Sequence, residues 1–359
     1  MRALPIFYAL TLTASVGVGC VGSAGRDHMD GANTASSASA SATVERIVVA
    51  MGTSLHMQVT ATTRAEALQA SEAGLQALQA VEARLSTWRD DSELSQLNRL
   101  RVGSYMDLSG ELLEDLRKAR RWQRATGGAF DPAVGALVDL YALRDGGRWP
   151  TDQEVWACLP HCGLDQLQVV YRNAGRRSAR LRLEEGGFGK GAGLDAAAKA
   201  ILAASAAAVT IDFGGQILRV GEHQAAGSFD VADPNQRDRG VVRVQLDSGS
   251  LATTANSERR IRVGAEDLGH ILDPRSGRPA KDIGSITVWA RDAFAADCLS
   301  TGLFVMGPDA ALAWAEKQEG IEVLALVSRR DASNQQLTAR MTSGMRTRVT
   351  ALVPDITIQ

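Results

Sequence analysis

Two stretches in the last third of the chain carry side chains able to do chemistry together. Gly269-His270-Ile271-Leu272-Asp273-Pro274-Arg275-Ser276-Gly277 sets an imidazole in a turn bounded by Pro and Gly. Asp297-Cys298-Leu299-Ser300-Thr301 sets a carboxylate four residues before a hydroxyl. On a helix that spacing puts both groups on one face. A carboxylate beside a hydroxyl suits a hard cation such as Mg²⁺, and an imidazole takes a proton near neutral pH. Each feature alone also has a plainer meaning, a surface Asp–Thr pair and a hydrogen-bonding turn histidine.

A third stretch, Glu185-Gly186-Gly187-Phe188-Gly189-Lys190-Gly191-Ala192-Gly193-Leu194-Asp195, follows an alternating run, Ala179 to Leu183, expected as a strand. A helix is expected over 196–208 and a strand over 209–213, ending at Gly214-Gly215. Strand, glycine-rich turn, helix and strand is a layout in which backbone amides and a helix N-terminus meet an anion. It is not a Walker A loop, because Gly191 follows Lys190 where Ser or Thr is required. Gly191-Ala192-Gly193-Leu194-Asp195-Ala196 fits the dinucleotide fingerprint, with Asp212 near the expected distance. Against that, Asp195 would face the pyrophosphate, and the repeated strand–helix units of a doubly wound sheet are missing. A glycine-rich packing turn remains the plain reading.

The elements that must position these groups are legible from periodicity. Ile286 to Ala290 is β-branched and apolar and predicts a buried strand. From Ala293 to Met306 the pattern turns helical, and Gly307-Pro308 ends it. Arg64 to Leu85 predicts a long helix, Asp91 to Asn98 a short capped one, and Leu108 to Thr126 an amphipathic one with Ser109 as cap. Thr126-Gly127-Gly128-Ala129-Phe130-Asp131-Pro132 is a turn cluster. Arg46 to Thr60 reads as a strand or hairpin interrupted at Met51-Gly52-Thr53-Ser54.

The chain has 359 residues, a formal net charge of −2 and 45% hydrophobic residues, ample for a large core. That near-neutral balance gives no basis for a nucleic-acid partner. Residues 1–20 read as an export signal: Arg2, an apolar run from Leu4 to Val18 too short to span a bilayer comfortably, then Val18-Gly19-Cys20. This resembles a bacterial lipobox with Cys20 as the lipidated residue, although Gly17 stands where an aliphatic residue is usual. Residues 21–44, rich in Ser and Ala, read as a flexible tether, and 45–359 as the globular part. The expected location is therefore outside the cytoplasm, on a membrane through the N-terminal lipid. Cys158-Leu159-Pro160-His161-Cys162 offers either a disulfide or, less well for want of a second ligand pair, a zinc site.

Taken in order, the motifs resemble those of the FAD:protein FMN transferase, or ApbE, family over roughly Val49 to Val327. The landmarks are Met51-Gly52-Thr53; Leu85-Ser86-Thr87-Trp88 with Ser92-Glu93-Leu94 and Leu97-Asn98; and Thr126 to Pro132 with Val134-Gly135. They continue with Gly186-Gly187, Lys190-Gly191 and Asp195; Gly214-Gly215; His270 to Pro274 with Gly277; and Asp297 with Thr301 and Met306-Gly307. The resemblance implies an α+β fold, a single T-fold-related domain of mixed sheets and helices with a central FAD cleft. It implies FAD as substrate, Mg²⁺ held by Asp297, Thr301 and the Gly189 carbonyl, and FMN passed to a Thr or Ser of an exported redox flavoprotein, with AMP released. It further implies His270 as general base, Lys190 near the phosphates or paired with carboxylates, and Asp195 at the adenosine end. Met51, Trp88, Gly128, Ala129, Phe130, Thr253 and His270 are candidate contacts to FAD. The sequence departs from the family pattern at Ala255, Leu268-Gly269, Ala192 and Gln216, losing several aromatics and one acid. FAD hydrolysis, or flavin binding without catalysis, are the alternative readings.

Overall fold

The computed structural model describes residues 41–359 except 259–260 and 332–333. The export signal, Cys20 and the tether up to residue 40 lie outside the described residues.

Among the described residues, nine strands form the main sheet. Their spatial order is Ala42–Ala50, Thr53–Ala61, Ala208–Phe213, Gln216–Gly221, Gly249–Ala255, Gly284–Ala290, Ile321–Asp331, Asn334–Met341 and Ile356–Ile358. All neighbours are antiparallel except the last pair. The first two form the expected hairpin, with Met51 at φ 45° and Gly52 at φ 74° making the turn. The α+β architecture expected from the motifs is the one observed.

Alternation decides which face of the sheet is covered. Leu55, Met57, Val59 and Ala61 point inward and are fully buried. Over them lie helices Arg64–Leu85 and Gly189–Ala203, with Leu78, Leu194 and Ile201 in the same core cluster. The two helices press so closely that a Cβ on Gly74 would stand 2.6 Å from the Ile201 side chain. Thr63 starts the first helix with a full capping box to Glu66. Helix Gly110–Ala125 starts at Ser109 as expected, and Ser92 caps Glu93–Arg99.

Helix Ala293–Met306 is apolar on nearly every side and buried accordingly, from Ala293 through Leu299 and again at Leu303 and Phe304. Asp292 caps it through the amide of Ala295, and Gly307 at φ 82° ends it.

Two expectations are corrected. The alternating run 179–183 is not a strand; the strand there is Asn173–Arg176. Leu181 and Leu183 are buried, which explains the alternation, but the Leu183 backbone bonds the side chain of Asn98 at both its N–H (2.7 Å) and its carbonyl (2.9 Å). A side chain thus occupies the place of a neighbouring strand. The helix expected from Ala196 begins instead at Gly189, so Lys190, Gly191, Gly193 and Asp195 are helical residues and not turn residues. Glycine lowers helix propensity, but tertiary contact overrides it here. A Cβ on Gly191 would sit 2.4 Å from the Ala293 carbonyl oxygen and 2.7 Å from the Phe294 Cα.

Gly191→Ala tests that close approach. Its Cβ would meet backbone atoms that cannot rotate away, so a net loss of about 1–3 kcal/mol is expected despite alanine's better helix propensity. Urea denaturation followed by circular dichroism measures it; unchanged or raised stability would refute the contact.

Candidate active site

The 189–203 and 293–306 helices meet at their N-terminal turns and cap each other. Asp195, on the first, accepts the amides of Ala293 (2.8 Å) and Phe294 (3.0 Å), one on each carboxylate oxygen. Asp297, on the second, accepts the amide of Gly191 at 2.9 Å through Oδ2. Each carboxylate thus satisfies orphan donors of the other helix and lies at its positive dipole end. Burial raises the Asp195 pKa to about 6, against the pull of its two amides. The Phe188 and Phe294 rings lie against one another with centroids 5.5 Å apart. Gln216, fully buried, donates to the Ala293 carbonyl at 2.8 Å. A carboxylate there would face that carbonyl oxygen without a proton to give, so the uncharged amide suits this position.

Asp297 is 5% exposed, and Thr301 follows one turn later on the same face. Ser300 donates to the Asp297 carbonyl (3.0 Å) and shares a hydrogen bond with Thr254 (2.8 Å), which ties this turn to the sheet. The glycine turn comes up against it: a Cβ on Gly187 would lie 3.4 Å from Thr301 Oγ1 and 3.2 Å from the Phe130 ring. A Cβ on Gly189, whose carbonyl is the expected ligand, would lie 3.2 Å from the Glu185 side chain and 3.3 Å from the Met51 methyl. Among the described residues no three His, Cys, Asp or Glu side chains cluster as metal ligands. One carboxylate, one hydroxyl and nearby carbonyls are oxygen donors only. That set fits Mg²⁺, which commonly takes one or two carboxylates and completes its shell with water and substrate phosphate.

The turn cluster 126–132 forms the next wall. Thr126 donates to the Trp122 carbonyl (2.8 Å) and accepts the Phe130 amide (3.1 Å). Asp131 accepts the amides of Ala133 (2.8 Å) and Leu164 (3.0 Å), and its burial raises its pKa. Gly127 and Gly128 supply positive φ, 59° and 79°. A Cβ on Gly302 would stand 2.8 Å from that of Phe130, so the loop is set directly on the 293–306 helix. Candidates Gly128, Ala129 and Phe130 thus share one wall with Thr301.

His270 is half-buried at the root of a hairpin, Leu272–Asp273 paired with Arg278–Pro279. Leu268 and Leu272, on either side of it, belong to a core cluster with Val155 and Cys158. Gly277 (φ 69°) caps the hairpin over Val155 and Leu159, and Asp273 grips Arg275 through both the guanidinium and the amide. Arg275 Cγ lies 3.7 Å from where a Gly128 Cβ would be, so hairpin and loop touch. Lys190 is half-buried on the first turn of its helix. Thr253 is not open to a ligand on every side, because its hydroxyl bonds Thr287 at 2.8 Å.

Trp88 is 71% exposed, with the Arg144 guanidinium 4.7 Å above its ring. Arg144 also donates to Thr87 Oγ1 (2.9 Å) and pairs with Glu184. Burial outweighs that pairing and raises the Glu184 pKa to about 7. Arg144 is not signalled in the sequence at all, and Glu184, Glu185 and Arg275 only by standing beside the glycine turn and within the histidine turn. Cys158 and Cys162 are free thiols, with the Cys162 thiol donating to the Cys158 carbonyl (3.6 Å), and Cys298 is buried.

The sequence pattern of the ApbE family matches residues 51–325. The chain belongs to the ApbE family. It is 29% identical over 262 residues to the FAD:protein FMN transferase of Vibrio cholerae, covering 71% of this chain and 78% of that one. It is 28% identical over 253 residues to that of Haemophilus influenzae, covering 67% and 73%. The crystal structure of the ApbE protein from Thermotoga maritima superposes with a TM-score of 0.72 at 26% identity, over 80% of this chain and 94% of that one. The V. cholerae flavin transferase ApbE shares the fold, with a TM-score of 0.71 at 24% identity, over 86% and 99%.

The raised Glu184 pKa gives this ApbE-family protein a pH signature. Below the ordinary value of 4.5 the acid is protonated whether the chain is folded or not. Above about 7 it is ionised in both. Between these limits only the unfolded chain gives up the proton, so the folded state loses stability as pH rises. Glu184→Gln is expected to flatten that decline between pH 4.5 and 7, read from urea midpoints at half-unit steps. An unaltered slope would contradict the assignment.

Proposed function

We propose that this chain is a Mg²⁺-dependent FAD:protein FMN transferase acting on a Thr or Ser hydroxyl of an exported redox protein. The observation that carries the reading is the convergence on Asp297 and Thr301 of the glycine turn, the 126–132 loop and two cross-capped helix N-termini. Such a site offers fixed amides, glycine surface and an oxygen-donor pair to a pyrophosphate. The names of the relatives support the same activity.

In the proposed reaction the acceptor hydroxyl oxygen attacks the FMN phosphorus of FAD. The new P–O bond forms as the bond to the AMP oxygen breaks, and AMP leaves. His270 takes the hydroxyl proton. Asp297, Thr301 and the Gly189 backbone carbonyl would hold Mg²⁺, which would supply neutralising charge to the pyrophosphate. Lys190, on the first turn of the helix that follows, would add positive charge at that end. Asp195 acts on the reaction through its caps on Ala293 and Phe294, which hold the turn that carries Asp297. Lipid attachment at Cys20, with the residues between it and the strand that starts at Ala42 as tether, would hold the domain at a membrane surface where exported acceptors are met.

The test incubates the full chain with FAD, Mg²⁺ and an acceptor protein of the exported flavoprotein class, following AMP release and acceptor mass. Gain of FMN mass on the acceptor, with one AMP per transfer, is the expected result. Asp297→Ala should lower the rate by roughly a hundredfold or more, and His270→Ala by roughly 10²- to 10⁴-fold. A chelator should stop transfer and added Mg²⁺ restore it. AMP release without acceptor labelling would establish a hydrolase instead, and FAD binding without AMP a non-catalytic binder.

A further inference from the structure

Glu185 stands in the glycine turn, yet the proposed reaction does not use it. Its backbone carbonyl accepts the amides of Phe188 (3.0 Å) and Gly189 (2.7 Å), which sets the start of the 189–203 helix. Its side chain runs between the segments that carry two candidate FAD contacts. On one side, Oε1 accepts the amide of Thr87 (3.1 Å), directly before Trp88. On the other, its Cβ and Cγ stand 3.2 Å from the point where a Gly189 Cβ would lie, and the Met51 methyl stands 3.3 Å from that same point. Oε2 is shielded from solvent and has no hydrogen-bond partner in the protein.

A shielded carboxylate oxygen without a donor is strongly unfavourable. The nearby cation does not relieve it, because Arg144 is committed to Glu184, to Thr87 Oγ1 and to the face of Trp88. Phosphate is excluded as the missing partner by charge. What an orphan carboxylate oxygen accepts is an O–H or N–H. FAD carries such donors at both ends: the ribityl hydroxyls and ring N–H of the flavin, and the ribose hydroxyls and amino group of the adenosine.

We propose that Glu185 is a further substrate-recognition residue, whose Oε2 accepts a hydrogen bond from an O–H or N–H donor of FAD bound between Met51 and Trp88. This rests on the transferase reading for the identity of the ligand. The carboxylate also keeps the pyrophosphate away from this side of the turn and toward Gly187 and Thr301, because like charge repels it. Glu185 is thus a specificity element beside the Thr87–Trp88 segment.

The experiment compares the full-length wild-type chain with Glu185→Gln and Glu185→Leu. FAD affinity is read by flavin fluorescence, transfer by AMP release, and folding by thermal denaturation. Glu185→Gln retains an oxygen for the Thr87 amide but can present an N–H donor where the ligand also donates. It is expected to raise the FAD Kd and KM by roughly ten- to a hundredfold, with kcat within about twofold and Tm unchanged. Competition by riboflavin and by AMP locates the donor, since only the half that touches Glu185 should bind more weakly to the variant. Wild-type FAD affinity in folded Glu185→Gln would overturn the proposal. So would a common fall in Tm, kcat and all affinities in both variants, which would mark Glu185 as a structural tie to Thr87 only. The FAD-binding arm does not depend on catalysis: a wild-type chain that binds FAD but transfers nothing ends the transferase reading alone, whereas one that binds no FAD ends both.

Discussion

The site depends on one reciprocal contact, the exchange of carboxylate caps between two helix N-termini. Asp195 closes the first turn of the 293–306 helix and Asp297 closes that of the 189–203 helix. Each cap satisfies backbone donors that would otherwise be buried unpaired. Neither helix can then shift along or rotate about its axis without breaking the other's cap. The exchange is possible only at very short range, which is why Gly191 has no side chain to set against the Ala293 carbonyl. The same carboxylate that caps one helix also stands one turn from Thr301. The Asp297–Thr301 pair is thus positioned by the interaction that joins the helices.

The remaining walls are attached to this pair by similar economy of space. Gly302 lets the 126–132 loop sit on the 293–306 helix, and Gly187 lets the glycine turn sit against both Phe130 and Thr301. The histidine hairpin reaches the loop through Arg275 and is held from below by Val155 and Leu159. Glycine therefore serves contact distance at these positions as much as backbone freedom. Rigidity of this kind suits a reaction in which positioning and charge neutralisation do most of the work.

The departures from the family pattern take on physical meaning in this setting. Ala192 is buried in the cluster that holds Phe188 and Phe294, whose rings fill the space beside it. Leu268 anchors the histidine turn in the core formed with Val155 and Cys158. Gln216 brings no charge into a fully buried place and binds the Ala293 carbonyl. These positions support the site from behind, so changes there alter packing without removing Asp297, Thr301, His270 or Lys190.

The sequence by itself determined the family, through short motifs in fixed order, and most elements, through periodicity and a cap such as Ser109. It also determined that Asp297 and Thr301 share a helix face, because local spacing fixes that relation. Only the tertiary structure decided that the glycine run 189–193 is helical, because the reward for leaving out side chains lies in a helix a hundred residues away. It alone revealed that Asp195 and Asp297 exchange caps, that Gly187 stands close against Thr301, and that Leu183 bonds a side chain and not a strand. Glu185 was visible only as one acid before two glycines. Its orphaned oxygen between the segments of Met51 and Trp88 arises from contacts about a hundred residues apart in sequence, and no local pattern records them.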